Sequence, residues 1–295
     1  MDDCTLFLKK QFSTIAHEDN FDLARRSTIG AGGTAKLAFF PTTAEECIRL
    51  IDGLENCKIK YTVLGNLSNV LPSDGESKTV YILTQNLKGI KVGKSFFAYA
   101  GTSSATFLRS CEAHGKSGAE FLSGIPCTVG GAAFMNAGVS GRYLSEIVES
   151  VLYYSDGELH SLSVSECEYA YKKSRFMKEN GVILGVNFRL NDADLQTIRK
   201  ERSFFMAKRK HLPKGKSMGC IFKNPENLTA GKLVENAGLK GLRYGGAVVS
   251  QEHANFIIND RKATAREIKN LIALMKNAVY TQYKISLEEE IRYLN

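Results

Sequence analysis

Apolar residues fall at Cys47, Ile48, Ile51 and Leu54, the spacing of one helical face, and Thr43 with Glu46 forms a capping box at the start of that pattern. A β-branched run, Tyr61 to Gly65, follows, so residues 41–65 predict a helix and then a strand that delivers a loop to a sheet edge. Residues 79–84 and 96–101 predict two more strands, the second leading into a helix with Phe107, Leu108 and Cys111 on one face. Between Tyr153 and Leu162, Asp156-Gly157 separates two strand-like runs and predicts a hairpin, because both turn positions tolerate positive φ. Residues 181–190 read as a strand and 192–211 as a long charged helix ending at Leu212-Pro213. Strands are expected at 247–250 and 255–259. A helix should start at a second capping box, Thr264 to Glu267, and run to about Tyr283, before a strand-like stretch at 287–294. The chain is therefore α+β, with a larger N-terminal region to about residue 190 and a smaller C-terminal domain from about 212. It shows no internal repeat and no low-complexity tract.

Length and composition narrow the class. The 295 residues suffice for two or three domains, with 43% apolar and 24% charged residues as in ordinary globular proteins. No apolar run approaches the ~20 residues of a membrane span. The N-terminal MDDCTLFLKKQF does not read as a signal peptide, so a cytoplasmic protein is expected. None of the seven cysteines forms a Cys-x-x-Cys pair or has a histidine at zinc-ligand spacing, so no metal is expected. They read as reduced thiols, mostly small buried hydrophobes. The formal charge of +8 and pI near 9.0 would attract phosphates, including those of a nucleotide cofactor or a diphosphate sugar. The positive residues form no single arm interleaved with aromatics, so no nucleic acid partner is expected.

Three glycine-rich segments carry the candidate chemistry. Thr28 to Gly33 is glycine-dense, and Gly65-Asn-Leu-Ser-Asn69 follows a predicted strand. Either could bring backbone N–H groups close to a pyrophosphate, although glycine clusters more often mark turns. Neither is a complete Rossmann fingerprint. In the third, Gly124-Ile-Pro-Cys-Thr-Val-Gly-Gly-Ala132 runs on into Met135-Asn-Ala-Gly138. Paired glycines among small residues suit a flat, closely held cofactor; the alternative is a tight crossover whose glycines relieve crowding.

Further motifs follow: Tyr171-Lys-Lys-Ser-Arg-Phe176, Gly219-Cys-Ile-Phe-Lys-Asn-Pro225, Ala230 to Gly241 and Leu287-Glu-Glu-Glu-Ile291. In order and spacing, from about Arg25 to the C-terminus, the set resembles the UDP-N-acetylenolpyruvoylglucosamine reductase family, in its shorter second type. The resemblance implies a two-subdomain FAD-binding region of the PCMH or vanillyl-alcohol-oxidase type plus a smaller α+β substrate-binding domain. It divides the chain into residues 1–88 and 89–191 for the two FAD-binding subdomains and 192–295 for the substrate-binding domain. It implies FAD and NADPH as cofactors, a UDP-sugar as substrate, and a place in peptidoglycan precursor synthesis.

Site residues follow by position. Gly65, Asn66, Ser68, Asn69, Gly124, Ile125, Pro126, Thr128, Gly130 and Gly131 are implied to bind FAD. Tyr171, Arg175, Lys223 and Asn224 are implied to bind substrate. The family uses an Arg and a Glu to stabilise an enolate-like intermediate and a Ser to donate a proton; the matching positions here are Lys172, Glu290 and Cys220. Thiols, with an ordinary pKa of about 8.5, give up protons more readily than alkyl hydroxyls. Lysine lacks the planar fork with which arginine grips a carboxylate, and Arg175, three residues on, would face the same way if the stretch were helical. Leu67 and Cys127 stand where the family has glycine, and Ser140 where many members carry an aromatic ring. If those two glycine positions need positive φ, Leu67 is costly. The departures leave open a catalytically degenerate paralogue that binds FAD or a UDP-sugar without turnover, and, less favoured, a flavin oxidase of the same fold.

Overall fold

The computed structural model describes residues 3–294, with side chains from residue 5. At the predicted hairpin, Asp156 and Gly157 take φ of 52° and 78°, the left-handed pair that lets strands Val148–Ser155 and Glu158–Ser163 pair from Ser155↔Glu158 to Ser150↔Ser163. This hairpin begins a five-stranded antiparallel sheet continued by Val182–Phe188, Phe96–Tyr99 and Ile90–Val92. Strand Val182–Phe188 is buried at every position but Asn187, as a central strand covered on both faces requires.

The helices are α1 (Asp3–Gln11), α2 (Leu23–Arg26), α3 (Ala44–Asn56), α4 (Ser104–Ala113), α5 (Val129–Met135), α6 (Leu195–Lys208), α7 (Ala230–Asn236) and α8 (Ala265–Tyr283). The capping box expected for α3 is shared differently. Thr43 accepts from the Glu46 N–H at 3.2 Å, but Glu46 reaches back to Thr42, accepting from its N–H at 2.6 Å and its hydroxyl at 2.9 Å. The charged helix α6 starts later than its pattern suggests, because Asp194 caps it by accepting from the Thr197 N–H at 2.9 Å. Its Arg199 and Arg202 both pair with Glu112 of α4.

The chain groups into two compact units interleaved in sequence. One takes residues up to 19, 37–66 and 79–210; the other takes 20–36, 67–78 and 211 onward. The expected division at residues 88 and 191 runs along the chain, whereas this grouping joins two N-terminal segments to the residues from 211 onward. In the first unit, strand Tyr61–Leu64 runs parallel to Val80–Leu83, which pairs through Tyr81 and Ile82 with Ala38 and Phe39. Phe12, Phe39, Leu50, Ile82, Phe107 and Leu184 belong to its core.

In the second unit α8 buries Ile268, Leu271, Ile272, Met275 and Val279 on one face. Its start is satisfied twice over. Thr264 and Glu267 exchange capping bonds of 3.1 and 2.9 Å, and Asp74 accepts from the N–H groups of Ala265 and Arg266 at 2.8 and 2.9 Å. Strand Arg292–Leu294 lies parallel to Val70–Pro72, and Ala247–Val249 sits between Arg243–Tyr244 and Ile257–Asn259. No helix among the described residues is long and apolar enough to cross a membrane.

Cys47, Cys111 and Cys167 are buried, as expected of small hydrophobes, and burial pushes the Cys47 and Cys111 thiols up to about 12. Cys57 is exposed, and Cys4 lies outside the described side chains. At neutral pH a thiol reagent should modify Cys57 quickly and Cys47, Cys111 and Cys167 only on unfolding. Peptide mapping that finds Cys47 labelled as fast as Cys57 in the native protein would contradict this.

Candidate functional site

In the first unit the strand ending at Leu64 delivers Gly65 against Thr128. A Cβ at Gly65 would lie 2.5 Å from Thr128 Oγ1, so only glycine lets the two loops meet. Asn66 ties the same loops together, its amide donating to the Pro126 carbonyl at 2.9 Å and its Oδ1 accepting from Gln85 at 3.0 Å. The segment after Pro126 is a helix rather than an open turn. Thr128 caps α5 by accepting from the Gly131 N–H at 3.2 Å, while the Val129 and Gly130 N–H groups donate to Thr102 and Ala100 carbonyls at 2.8 Å. A Cβ on Gly130 would come within 2.8 Å of that of Ala100. The paired glycines thus serve close packing, and their amides are engaged within the protein. Cys127 is absent from the positive-φ positions, so glycine is not demanded there, whereas Gly124 has φ 75°.

The residues present fit a bound flavin nucleotide. The Gly65–Asn66 loop and the Gly124–Pro126 loop lie together, and the Ser123 hydroxyl beside them is buried with no hydrogen-bond partner. A buried hydroxyl without a partner costs about 1–3 kcal/mol, so it calls for a ligand atom.

The second unit holds the other end of the first glycine loop. Leu67 adopts φ 48° while only 3% exposed, so this position does require the left-handed conformation. A leucine there stores strain of about 1–2 kcal/mol. Leu67→Ala loses buried side chain and keeps most of the strain; Leu67→Gly loses the side chain and releases it. The glycine variant should therefore be more stable than the alanine variant by about 1 kcal/mol, the reverse of the usual order. Equilibrium urea unfolding of both variants checks this, and an alanine variant of equal or greater stability would contradict it. Ser68 follows, and Asn69 turns to the C-terminal segment: its amide donates to the Glu290 carbonyl at 3.1 Å and its carbonyl accepts from the Arg292 N–H at 3.0 Å.

The segments that bear Cys220 and Glu290 lie side by side. The Glu290 N–H donates to the Ile221 carbonyl at 2.8 Å, and the Lys223 N–H to the Glu288 carbonyl at 2.9 Å. On the other side of the same segment, Cys220 bridges to Phe256. Asn255, buried, clamps Phe222, two residues on from Cys220, with both ends of its amide, accepting from the Phe222 N–H at 2.9 Å and donating to the Phe222 carbonyl at 2.8 Å. Sequence reasoning missed Asn255; an asparagine inside the apolar run Ala254 to Ile258 was the available signal. Asn255→Leu leaves two buried backbone groups unpaired, at about 1–3 kcal/mol each. Thermal unfolding of that variant should drop by several degrees, and an unchanged midpoint would contradict the clamp.

Lys223 and Asn224 have structural partners. The Lys223 ammonium meets Glu288 at 2.5 Å, and Asn224 accepts from the Ala230 N–H at 3.0 Å at the start of α7.

Lys172 lies in the first unit, on a turn rather than a helix. Ala170 and Lys173 exchange two backbone hydrogen bonds of 3.1 Å, leaving Tyr171 and Lys172 at the tip with Lys172 at φ 54°. The helical spacing that would align Arg175 with Lys172 is therefore absent. Arg175 instead pairs with Glu179 at 3.0 Å and donates to the Glu166 carbonyl at 3.1 Å. Tyr171 packs edge-on against Tyr143, ring centroids 6.2 Å apart. Ser140 takes φ 55° and its hydroxyl lies 3.5 Å from the Lys208 ammonium.

With two glycine loops meeting in the first unit and the segments bearing Cys220 and Glu290 paired in the second, the comparisons with known proteins define the class as a flavin-dependent oxidoreductase. Residues 35–163 match the FAD binding domain family. Residues 210–294 match the family described as UDP-N-acetylenolpyruvoylglucosamine reductase, C-terminal domain. The UDP-N-acetylenolpyruvoylglucosamine reductase of Chlamydia felis is 36% identical over 276 residues, 92% of each chain. That of Chlamydia pneumoniae is 39% identical over 280 residues, covering 92% of this chain and 90% of its own. The crystal structure of the Thermus caldophilus reductase superposes with a TM-score of 0.82 at 32% identity, covering 95% of this chain and 99% of that one. The chain belongs to the UDP-N-acetylenolpyruvoylglucosamine reductase family.

Proposed function

We propose that this protein catalyses the NADPH-dependent, FAD-mediated reduction of UDP-N-acetylglucosamine enolpyruvate to UDP-N-acetylmuramate, a cytoplasmic step of peptidoglycan precursor synthesis. The observation that carries it is the network in the second unit. There Asn69, from the loop expected to touch FAD, holds the Glu290 backbone, and Glu290 in turn bonds Ile221, next to Cys220.

Bound FAD supplies a hydride relay from NADPH to the enol ether. Gly65, Asn66, Ser68, Asn69, Gly124, Ile125, Pro126, Thr128, Gly130 and Gly131 form or brace its site, the first and last groups by close packing as much as by hydrogen bonds. Hydride addition to the enolpyruvyl double bond leaves negative charge that spreads into the adjacent carboxylate. The Lys172 ammonium offsets that charge, and Glu290 orients the reacting group. The Cys220 thiol then gives its proton to the neighbouring carbon and recovers one from solvent. Tyr171 and Arg175 border the lactyl end, while Lys223 and Asn224 face the nucleotide-sugar. For Lys223 to meet a phosphate it must exchange Glu288 for it.

Purified protein should carry an oxidised-flavin absorption band and consume NADPH only when the enolpyruvyl sugar is present, with UDP-N-acetylmuramate as product by mass spectrometry. Flavin without sugar-dependent NADPH consumption would support the non-catalytic paralogue instead.

A further inference from the structure

The Lys172 turn is hung from one end of α5, the helix whose other end abuts the Gly65 loop. Asn136 closes α5 in the left-handed conformation, φ 43° and ψ 59°, and is 3% exposed. Its Nδ2 donates to the Ala170 carbonyl at 3.0 Å, and its Oδ1 accepts from the Ser145 N–H at 3.0 Å. The other foot of the turn is tied as well: the Ser174 hydroxyl, also buried, donates to the Phe134 carbonyl at 2.6 Å. Residues 134 and 136 therefore fix both feet of a turn with Tyr171 and Lys172 at its tip. Eight residues before Asn136, Thr128 caps the same helix in contact range of Gly65. A seven-residue helix spans only about 10 Å, so it acts as a short rigid strut between the two loops.

The residue types are constrained. Asparagine tolerates the left-handed conformation and carries a donor and an acceptor on one planar group. Aspartate keeps the shape and the acceptor but turns an anion toward the Ala170 carbonyl.

We propose that Asn136, seconded by Ser174, is a positioning residue that holds the Lys172 ammonium where charge develops on the substrate. This rests on the reductase reading and names the part of the first unit that makes Lys172 effective. Asn136 touches neither substrate nor cofactor in this role; it acts through the turn.

The test is anaerobic stopped-flow on the flavin-loaded full chain, separating flavin reduction by NADPH from flavin reoxidation by the enolpyruvyl sugar. Asn136→Asp should leave flavin content and the NADPH step within about twofold of the parent and slow reoxidation about 10- to 100-fold, as expected when a charged group is displaced by about 1 Å. Ser174→Ala should act in the same direction and serves if the first variant does not fold. In a Lys172→Ala background, Asn136→Asp should have no further effect on reoxidation, because the group it positions is gone. A general structural defect would instead slow both steps and add to the Lys172 loss. Reoxidation at the parental rate in both tie variants, or the same slowing with and without Lys172, would overturn the inference. A parent protein that carries flavin but is never reoxidised by the sugar would overturn the reductase reading itself, which is a separate outcome.

Discussion

Replacing Cys220 by alanine is expected to slow reoxidation of the reduced flavin by the enolpyruvyl sugar about 10²- to 10⁴-fold, the usual worth of a positioned general acid. Flavin reduction by NADPH should stay near the parental rate, since no proton from this group is needed there. The effect should be visible as a lag in proton delivery: in deuterated water the residual product should carry deuterium with little stereochemical preference. Cys220→Ser, which restores a hydroxyl donor of similar size, should recover most of the rate. The backbone around position 220 is fixed independently of its side chain by Asn255 on one side and Glu290 on the other. Folding should therefore survive either change, and the kinetics report on chemistry. A Cys220→Ala protein turning over at the parental rate would remove the thiol from the mechanism.

The second large effect concerns charge. Lys172→Ala should lower reoxidation about 10²- to 10³-fold, the magnitude seen when one stabilising donor to a developing anion is removed. Lys172 sits at φ 54°, so part of any alanine effect is backbone cost. Lys172→Gly removes that cost while still deleting the ammonium, and it should be equally slow. Lys172→Arg should match or exceed the parent, because the guanidinium fork can grip a carboxylate in two places. Steady-state kcat and single-turnover reoxidation check the series. A glycine variant that regains the parental rate would show that the turn, not the charge, matters.

Much of the architecture could be read from local chemistry. The Asp156-Gly157 hairpin, the Thr264–Glu267 capping box and the buried face of α4 are all determined by residues within a few positions of one another. Where the pattern misled, the deciding partner was distant in sequence. The glycine pair at 130–131 suits either a flat, closely held cofactor or a tight crossover; residues 129–135 form α5, and Gly130 is held close against Ala100. Strands His17–Asp22 and Thr34–Phe39 were not anticipated. The first is almost wholly polar, and the second carries no turn signal that separates it from the glycines before it.

The site divides in the same way. Leu67 stands where the resembled family has glycine, and its φ of 48° shows that the position does take a glycine's conformation. The segments that carry Cys220 and Glu290, paired by motif in the sequence, lie side by side through the Glu290 N–H to Ile221 carbonyl bond. What could not be read was how those groups are held. Asn255 clamps Phe222 across 33 residues, Asn69 reaches Glu290 across 221, and Asn136 reaches Ala170 across 34. Three asparagines thus do work that leaves no periodicity, because an amide satisfying two backbone groups looks in sequence like any loop residue. The condition under which Arg175 would face the same way as Lys172 is not met for a related reason: the bridge between Ala170 and Lys173 makes a turn rather than a helix.

A crystal structure of the protein with FAD and UDP-N-acetylglucosamine enolpyruvate would address the mechanism most directly. The Cys220 sulfur and the Glu290 carboxylate should lie within reach of the enolpyruvyl carbons, about 3–4 Å away, with the flavin ring against the opposite face of the double bond. A complex in which the sugar nucleotide lies far from both side chains would contradict it.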